Sequence, residues 1–164
     1  SFSEKISLQS IRQADYRGGS ALSRAFQLLI FHNKPSYVTN GEPIPMGEVA
    51  APQNTKDLHH IFPKKQLERA GISRKQYNSL CNICYLVAHD NRSFGAQLPY
   101  RYLNEFRKKK YFPRSMKSHL IPYESDSPLW TAQVRKKVFY SFLDARLKIL
   151  KQAFNEAAEM QMFE

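Results

Sequence analysis

The chain has 164 residues and a mass of 19.1 kDa, 42% of it apolar and 13% aromatic, which suits one globular domain that folds without disulfide or metal staples and excludes wholesale disorder. Twenty-five Lys and Arg against 14 Asp and Glu leave a net charge of +11, an excess that points to a polyanionic partner. Two cysteines exclude a disulfide-dense secreted scaffold, and no apolar run approaches the roughly 18 residues of a membrane span.

The opening residues, SFSEKISLQS, have neither a starting Met nor the apolar core of a signal peptide. The chain therefore reads as a cytoplasmic piece of something longer. Its charge is concentrated. Residues 57–125 hold 13 basic and five acidic groups, a net of +8, while the flanking segments are nearly balanced. Polyanion docking and chemistry are both expected in that middle stretch.

In chain order, residues 2–15 read as a first helix with Ile6, Leu8 and Ile11 apolar, broken by Gly18 and Gly19. Ser20 is placed to cap a second helix, whose Leu22, Ala25, Phe26, Leu29 and Ile30 recur at helical spacing until Asn33-Lys34-Pro35. Residues 34–56 carry four prolines and two glycines without a period and read as a long loop, a feature that is often functional. Lys56 to Pro63 is strand-like and ends at the proline. Lys64 to Ala70 and Ser73 to Tyr77 suit short helices, the first ended by Gly71. Ile83 to Val87 is the strongest strand signal, and Asp90 or Asn91 is placed to open the next helix, interrupted early by Gly95. A helix is expected over Pro99–Lys110, with Pro at its first position and a basic last turn. Residues 111–126 read as irregular. Ser127-Pro128 then begins a long helix whose stripe runs from Val134 through Val138, Phe139, Phe142, Leu143, Leu147 and Leu150 to Phe154.

Two adjacent histidines, His59 and His60, close the first strand; Asn82 stands before the second and Asn91 at the mouth of the following helix. These are the residue types that phosphodiester hydrolysis needs. Neutral imidazole suits a general base, its pKa lying near 6.5, and an amide oxygen is a hard metal ligand that adds no charge. A bound metal contacts a non-bridging oxygen and steadies the departing oxyanion. One His as ligand, one as base and one Asn as second ligand make a minimal site.

The string His59-His60-Ile61-Phe62-Pro63, with Asn82 and Asn91 nine residues apart, resembles the HNH, or ββα-metal, endonucleases. Gly41-Glu42-Pro43-Ile44, Leu58 to Lys64, Asn91 to Gly95, Leu98 to Leu103 and Phe142 to Arg146 narrow the likeness to the C-terminal nuclease domain of GmrSD/SspE-type restriction enzymes. The likeness runs from about Gly19 to the end.

The resemblance implies an α+β fold, mainly helical, around a small ββα-metal core. A single domain over 1–164 would comprise a helical N-terminal part and loop over 1–56, the core over 57–97 and a helical C-terminal part over 98–164. It also implies His59 and Asn91 as metal ligands, His60 as the base that activates water, and Asn82 as the amide that braces the loop. The metal is expected to be Mg²⁺, with Mn²⁺ as an alternative. DNA nicking is the expected activity, in the effector domain of a prokaryotic antiphage system linked to DNA modification. In that family an N-terminal domain senses modification and hydrolyses nucleotide. Its Asp-Gly-Gln-Gln-Arg signature is absent from this chain, so such a domain is expected elsewhere in the full-length protein.

Lys64, Lys65 and Arg92 lie nearest the site in sequence and are the first candidates for phosphate contact; Arg107, Lys108, Lys109 and Lys110 are further candidates. Asp57 either orients His59 or is a surface carboxylate. Two other readings stay open. One is a non-catalytic nucleic-acid-binding module on the same scaffold. The other is a structural zinc site, in which Cys81 and Cys84, spaced CxxC, join His59 and His89.

Overall fold

One long helix and several shorter ones gathered round a two-stranded hairpin make an α+β fold, which a computed structural model describes over residues 7–16, 20–45, 58–85 and 88–160. Expectations that fall on Ile6, Gly18, Gly19, Asp57, residues 46–56 and 86–87, and the side chains of Leu8 and His89 lie outside the described residues.

Helix α1 covers Leu8–Gln13, and Ser7 accepts the Ser10 amide at its start. It stops short of the expected residue 15 because the chain becomes extended at Ala14 and pairs with a distant segment. Asp15 bridges Ser79, the Tyr16 amide donates to Asn78, and the Leu80 amide donates to Ala14. Helix α2, Ala21–His32, is capped by Ser20 as its sequence implies, and it buries Phe26, Leu29 and Ile30. At its end Lys34 takes a positive φ of 50°. The described part of the long loop is ordered, folding back through a Ser36–Pro43 bridge.

Strand β1, Leu58–His60, pairs antiparallel with β2, Ile83–Tyr85; Leu58 faces Tyr85, His59 faces Cys84 and His60 faces Ile83. Between them lie α3, Lys64–Arg69, and α4, Arg74–Tyr77, opened by a capping box from Ser73 and Gln76. A 3-10 turn over Leu80–Asn82 leads into β2. Helix α5 spans Ala88–Phe94. Asp90 and Asn91 therefore sit within it rather than opening it, and Asp90 occupies the first turn, where a carboxylate suits the helix dipole.

Three further expectations are corrected. The helix expected over 99–110 is a single turn, α6, Pro99–Tyr102. Beyond it, four consecutive cations would crowd one helical turn; Arg107 instead stacks on Trp130, 3.9 Å from the ring centre. The stretch 111–126 is not irregular: Phe112–Ser118 forms α7, with proline in its first turn and Phe112, Ser115 and Met116 buried. Ser127 caps only a 3-10 turn, Pro128–Trp130. The Trp130 indole N–H donates to Tyr123 and Glu124 carbonyls and Thr131 is extended, so the long helix α8 starts at Lys136 and runs to Met160.

The core gathers on α8, which buries Phe139, Phe142, Leu143, Arg146, Leu147 and Leu150. Phe62 of the His-His-Ile-Phe-Pro string packs edge-on against Phe142 and Phe139, at 4.9 and 5.8 Å between ring centres. Ile61 and Phe62 are 1% and 0% exposed, so the apolar half of the string anchors the hairpin just after the two histidines.

The loop is tied to α7 by a buried polar knot. Ser36 and Ser115 share a hydroxyl hydrogen bond of 2.8 Å, and the Ser36 amide donates to the Ser118 hydroxyl. His119, wholly buried, donates from Nε2 to the Ser36 carbonyl at 3.0 Å, and its Nδ1 has no partner. Burial pushes this imidazole from 6.5 down to about 4; the bond to Ser36 works the other way, and the Arg146 charge adds to the lowering. The unfolded chain therefore binds an extra proton between those values. The stability this histidine contributes is complete above about pH 6.5 and lost as pH falls toward about 4. The loss runs at up to about 1.4 kcal/mol per pH unit. Thermal unfolding is expected at a lower Tm at pH 5 than at pH 7, and His119→Gln should narrow the gap. An equal gap in the variant would remove His119 from the explanation.

Candidate functional site

The hairpin and α5 bring together the residues that the sequence separates. His59, 5% exposed, directs Nδ1 to the Asn91 Oδ1 at 2.6 Å. Asn91 Nδ2 donates to the Leu58 carbonyl, which fixes the amide with its oxygen toward the imidazole. Phe94 and Tyr102 pack edge-on against the His59 ring, and the Tyr102 hydroxyl donates to the Ile61 carbonyl. Burial pushes His59 down to about 4, partly opposed by Asn91 and reinforced by His60, so the ring is neutral at pH 7.

The pair fits a divalent cation as two neutral donors. With Nδ1 protonated it is a hydrogen bond, and it leaves the buried Nε2 without a partner. With the proton on Nε2, Nδ1 and the amide oxygen would be the two neutral donors that hold a cation. Imidazole and amide together suit Mn²⁺ at least as well as Mg²⁺. Among the described residues no three His, Cys, Asp or Glu converge.

Asn82 is a brace. Wholly buried, it accepts from the Phe62 amide at 2.9 Å and donates to the Phe62 and Tyr77 carbonyls at 3.1 and 2.9 Å. That closes the corner after the histidines, and the Ile61 amide extends the hairpin ladder to the Asn82 carbonyl.

His60 looks elsewhere. Strand alternation separates it from His59. Its Nε2 lies 3.1 Å from Asn78 Oδ1, and the Tyr77 ring packs edge-on against it. Burial lowers its pKa, the bond to Asn78 opposes this, and the Lys64 charge adds to the lowering. The two histidines thus have separate hydrogen-bond partners: α5 serves His59, and the end of α4 serves His60.

Of the basic candidates, Lys64 and Lys65 are exposed on α3 and Arg92 is exposed on α5, next to Asn91. Lys64 reaches Glu68 at 3.7 Å and lies over Tyr77. Arg107, Lys108, Lys109 and Lys110 are exposed on the turns after α6. Cys81 and Cys84 are free, buried thiols; burial raises the pKa of both, that of Cys84 to about 12.

Sequence reasoning missed Asn78, Asp15 and Arg146. Asn78 Nδ2 donates to Asp15 and to the Tyr16 carbonyl. Arg146, 0% exposed, donates to five main-chain carbonyls around the base of the hairpin. Asn78 sits in an unremarkable Tyr-Asn-Ser string. Arg146 gave one signal, a cation on the apolar face of a helix.

Comparison of the chain with protein-family models, with curated proteins and with solved structures finds no match.

Proposed function

We propose that the chain is a metal-dependent DNA endonuclease of the HNH type that nicks DNA as the effector part of an antiphage restriction protein. The observation that carries this reading is the meeting of His59 and Asn91, 32 residues apart, at one point beside a corner braced by Asn82. His59 and Asn91 would hold the cation. When bound, it supplies Lewis-acid stabilisation to the charge that develops on the leaving oxygen. His60 takes the proton from the attacking water. Asn82 holds the main chain so that His60 stays at the strand end. Lys64, Lys65 and Arg92 hold the phosphate backbone.

Plasmid nicking with Mg²⁺ or Mn²⁺, against an EDTA control, tests the reading. Metal-dependent nicking supports it, and its absence across both metals refutes it. Asn91→Ala should raise the metal concentration needed for half-maximal nicking or abolish activity. Asn82→Ala should lower thermal stability and activity together. A wild-type metal titration in Asn91→Ala would exclude that residue as a ligand.

Binding should be carried by phosphates rather than bases. Each phosphate contact adds about −0.9 to the slope of log K against log salt. Neutralising Lys64, Lys65 and Arg92 together should flatten that slope by up to about three units, equally on two unrelated duplexes. Neutralising Arg135, Lys136 and Lys137 should do less, because the surrounding segment is nearly balanced in charge. A larger loss in the second variant would move the DNA to the other face.

A second reading, a nucleic-acid-binding module without catalysis, is favoured by the separate hydrogen-bond partners of His59 and His60. It predicts salt-dependent DNA binding with no nicking under any metal.

Among the described residues, no helix is long and apolar enough to cross a membrane. The DNA partner and an N-terminal sensing domain in the full-length protein are parts of the proposal.

A further inference from the structure

The segment that leaves α1 packs against the residue that holds His60, although it lies more than 40 residues before the hairpin. Asn78 donates its two amide hydrogens to acceptors that cannot donate in return, the Asp15 carboxylate and the Tyr16 carbonyl, the latter at 3.1 Å. The Asn78 amide therefore cannot be reversed, and Oδ1 must face His60 Nε2. An amide oxygen only accepts, so Nε2 must carry a hydrogen. The main chain secures the arrangement: the Tyr16 amide donates to the Asn78 carbonyl at 2.9 Å, Asp15 bridges Ser79, and the Ser79 hydroxyl donates to the Arg12 carbonyl.

We propose that Asn78, held by Asp15 and the Tyr16 carbonyl, is a positioning residue that fixes the neutral His60 ring as its Nε2–H tautomer and leaves Nδ1 as the basic nitrogen. Its effect on nicking rests on the nuclease reading above; its effect on the tautomer does not. A base acts through one defined lone pair, and a ring free to exchange tautomers presents that lone pair only part of the time. The residues around 14–16, outside the ββα core, thus form part of the site.

Two-bond ¹H–¹⁵N correlation of the imidazoles at pH 8, with His60 assigned by the signals lost in His60→Gln, tests this on the intact chain. Wild type should show the Nε2–H pattern. Asn78→Ala should show mixed tautomers and, in nicking assays, a kcat lower by about 10- to 100-fold with KM and DNA affinity unchanged, the size of effect seen when a hydrogen-bond partner that orients an imidazole is removed. Asp15→Asn, which keeps an acceptor oxygen for Asn78, should retain the Nε2–H pattern. An Nδ1–H pattern in the wild type overturns the proposal, as does wild-type kcat in Asn78→Ala. Should Asn78→Ala not fold, the wild-type and Asp15→Asn spectra decide. A wild type that never nicks sinks the nuclease reading instead, and the tautomer pattern still settles the positioning.

Discussion

His60→Ala is expected to lower the nicking rate by about 10²–10⁴-fold while leaving DNA affinity nearly unchanged. In the proposed mechanism the side chain would act on water, and burial lowers its pKa, which favours the uncharged ring. Nothing that holds the phosphate backbone is removed. Folding should be little affected, since His60 is only partly buried and its loss strands a single acceptor, Oδ1 of the part-buried Asn78. The structural cost is then within the roughly 1 kcal/mol of an ordinary hydrogen bond. His60→Gln sharpens the test, because its amide can still donate to Asn78 but cannot take up a proton. Both variants should bind DNA like the wild type and fail to nick it. Wild-type nicking by either would remove His60 from the mechanism.

Much of the hairpin and its flanking caps was legible because the signals are local. Ser20 and Ser73 are capping residues followed by helical spacing, and both open helices. Asn82 and Asn91 could be singled out by their spacing, and His59 with Asn91 does meet in space. Ser127 shows the limit of such signals. It caps as expected, but the Trp130 indole is drawn to the Tyr123 and Glu124 carbonyls, and the helix fails until Lys136. The run Arg107–Lys110 looked like a favourable helix end; the stacking of Arg107 on Trp130 outweighs that preference. What holds His60 was illegible for a different reason. Asn78 meets Asp15 across 63 residues, and no local pattern records such a pairing. The two histidines illustrate the same point. Their adjacency suggests one shared site, yet the strand sends them to different partners, and only the positions of α4 and α5 reveal which.

Arg146→Met should be the most damaging substitution outside the site. The guanidinium is wholly buried at the midpoint of α8 and donates to the carbonyls of Ile83, Cys81, His119 and Leu120 at 2.6 to 3.1 Å, with Leu80 at 3.5 Å. Burial lowers its pKa to about 10, so it remains cationic at neutral pH. Replacing both members of a buried ion pair by apolar groups is often harmless. Here that route is closed, because the acceptors are main-chain carbonyls that no substitution removes. Met fills the space but leaves several buried carbonyls without donors, each costing about 1–3 kcal/mol. Against a total stability of about 5–15 kcal/mol, a loss of at least 3 kcal/mol is expected, enough to leave part of the chain unfolded at 37 °C. Arg146→Lys keeps the charge but offers three donors on one atom. It cannot span the 80–83 turn and the 119–120 corner at once, so an intermediate loss is expected. The clasp also bears on the site: it grips Leu80, Cys81 and Ile83, the residues on either side of Asn82. Folded Arg146→Lys should therefore nick more slowly than its residual stability alone would dictate. Urea unfolding followed by circular dichroism decides the matter, and a wild-type midpoint for Arg146→Met would show that the carbonyls find other donors and that the clasp holds nothing.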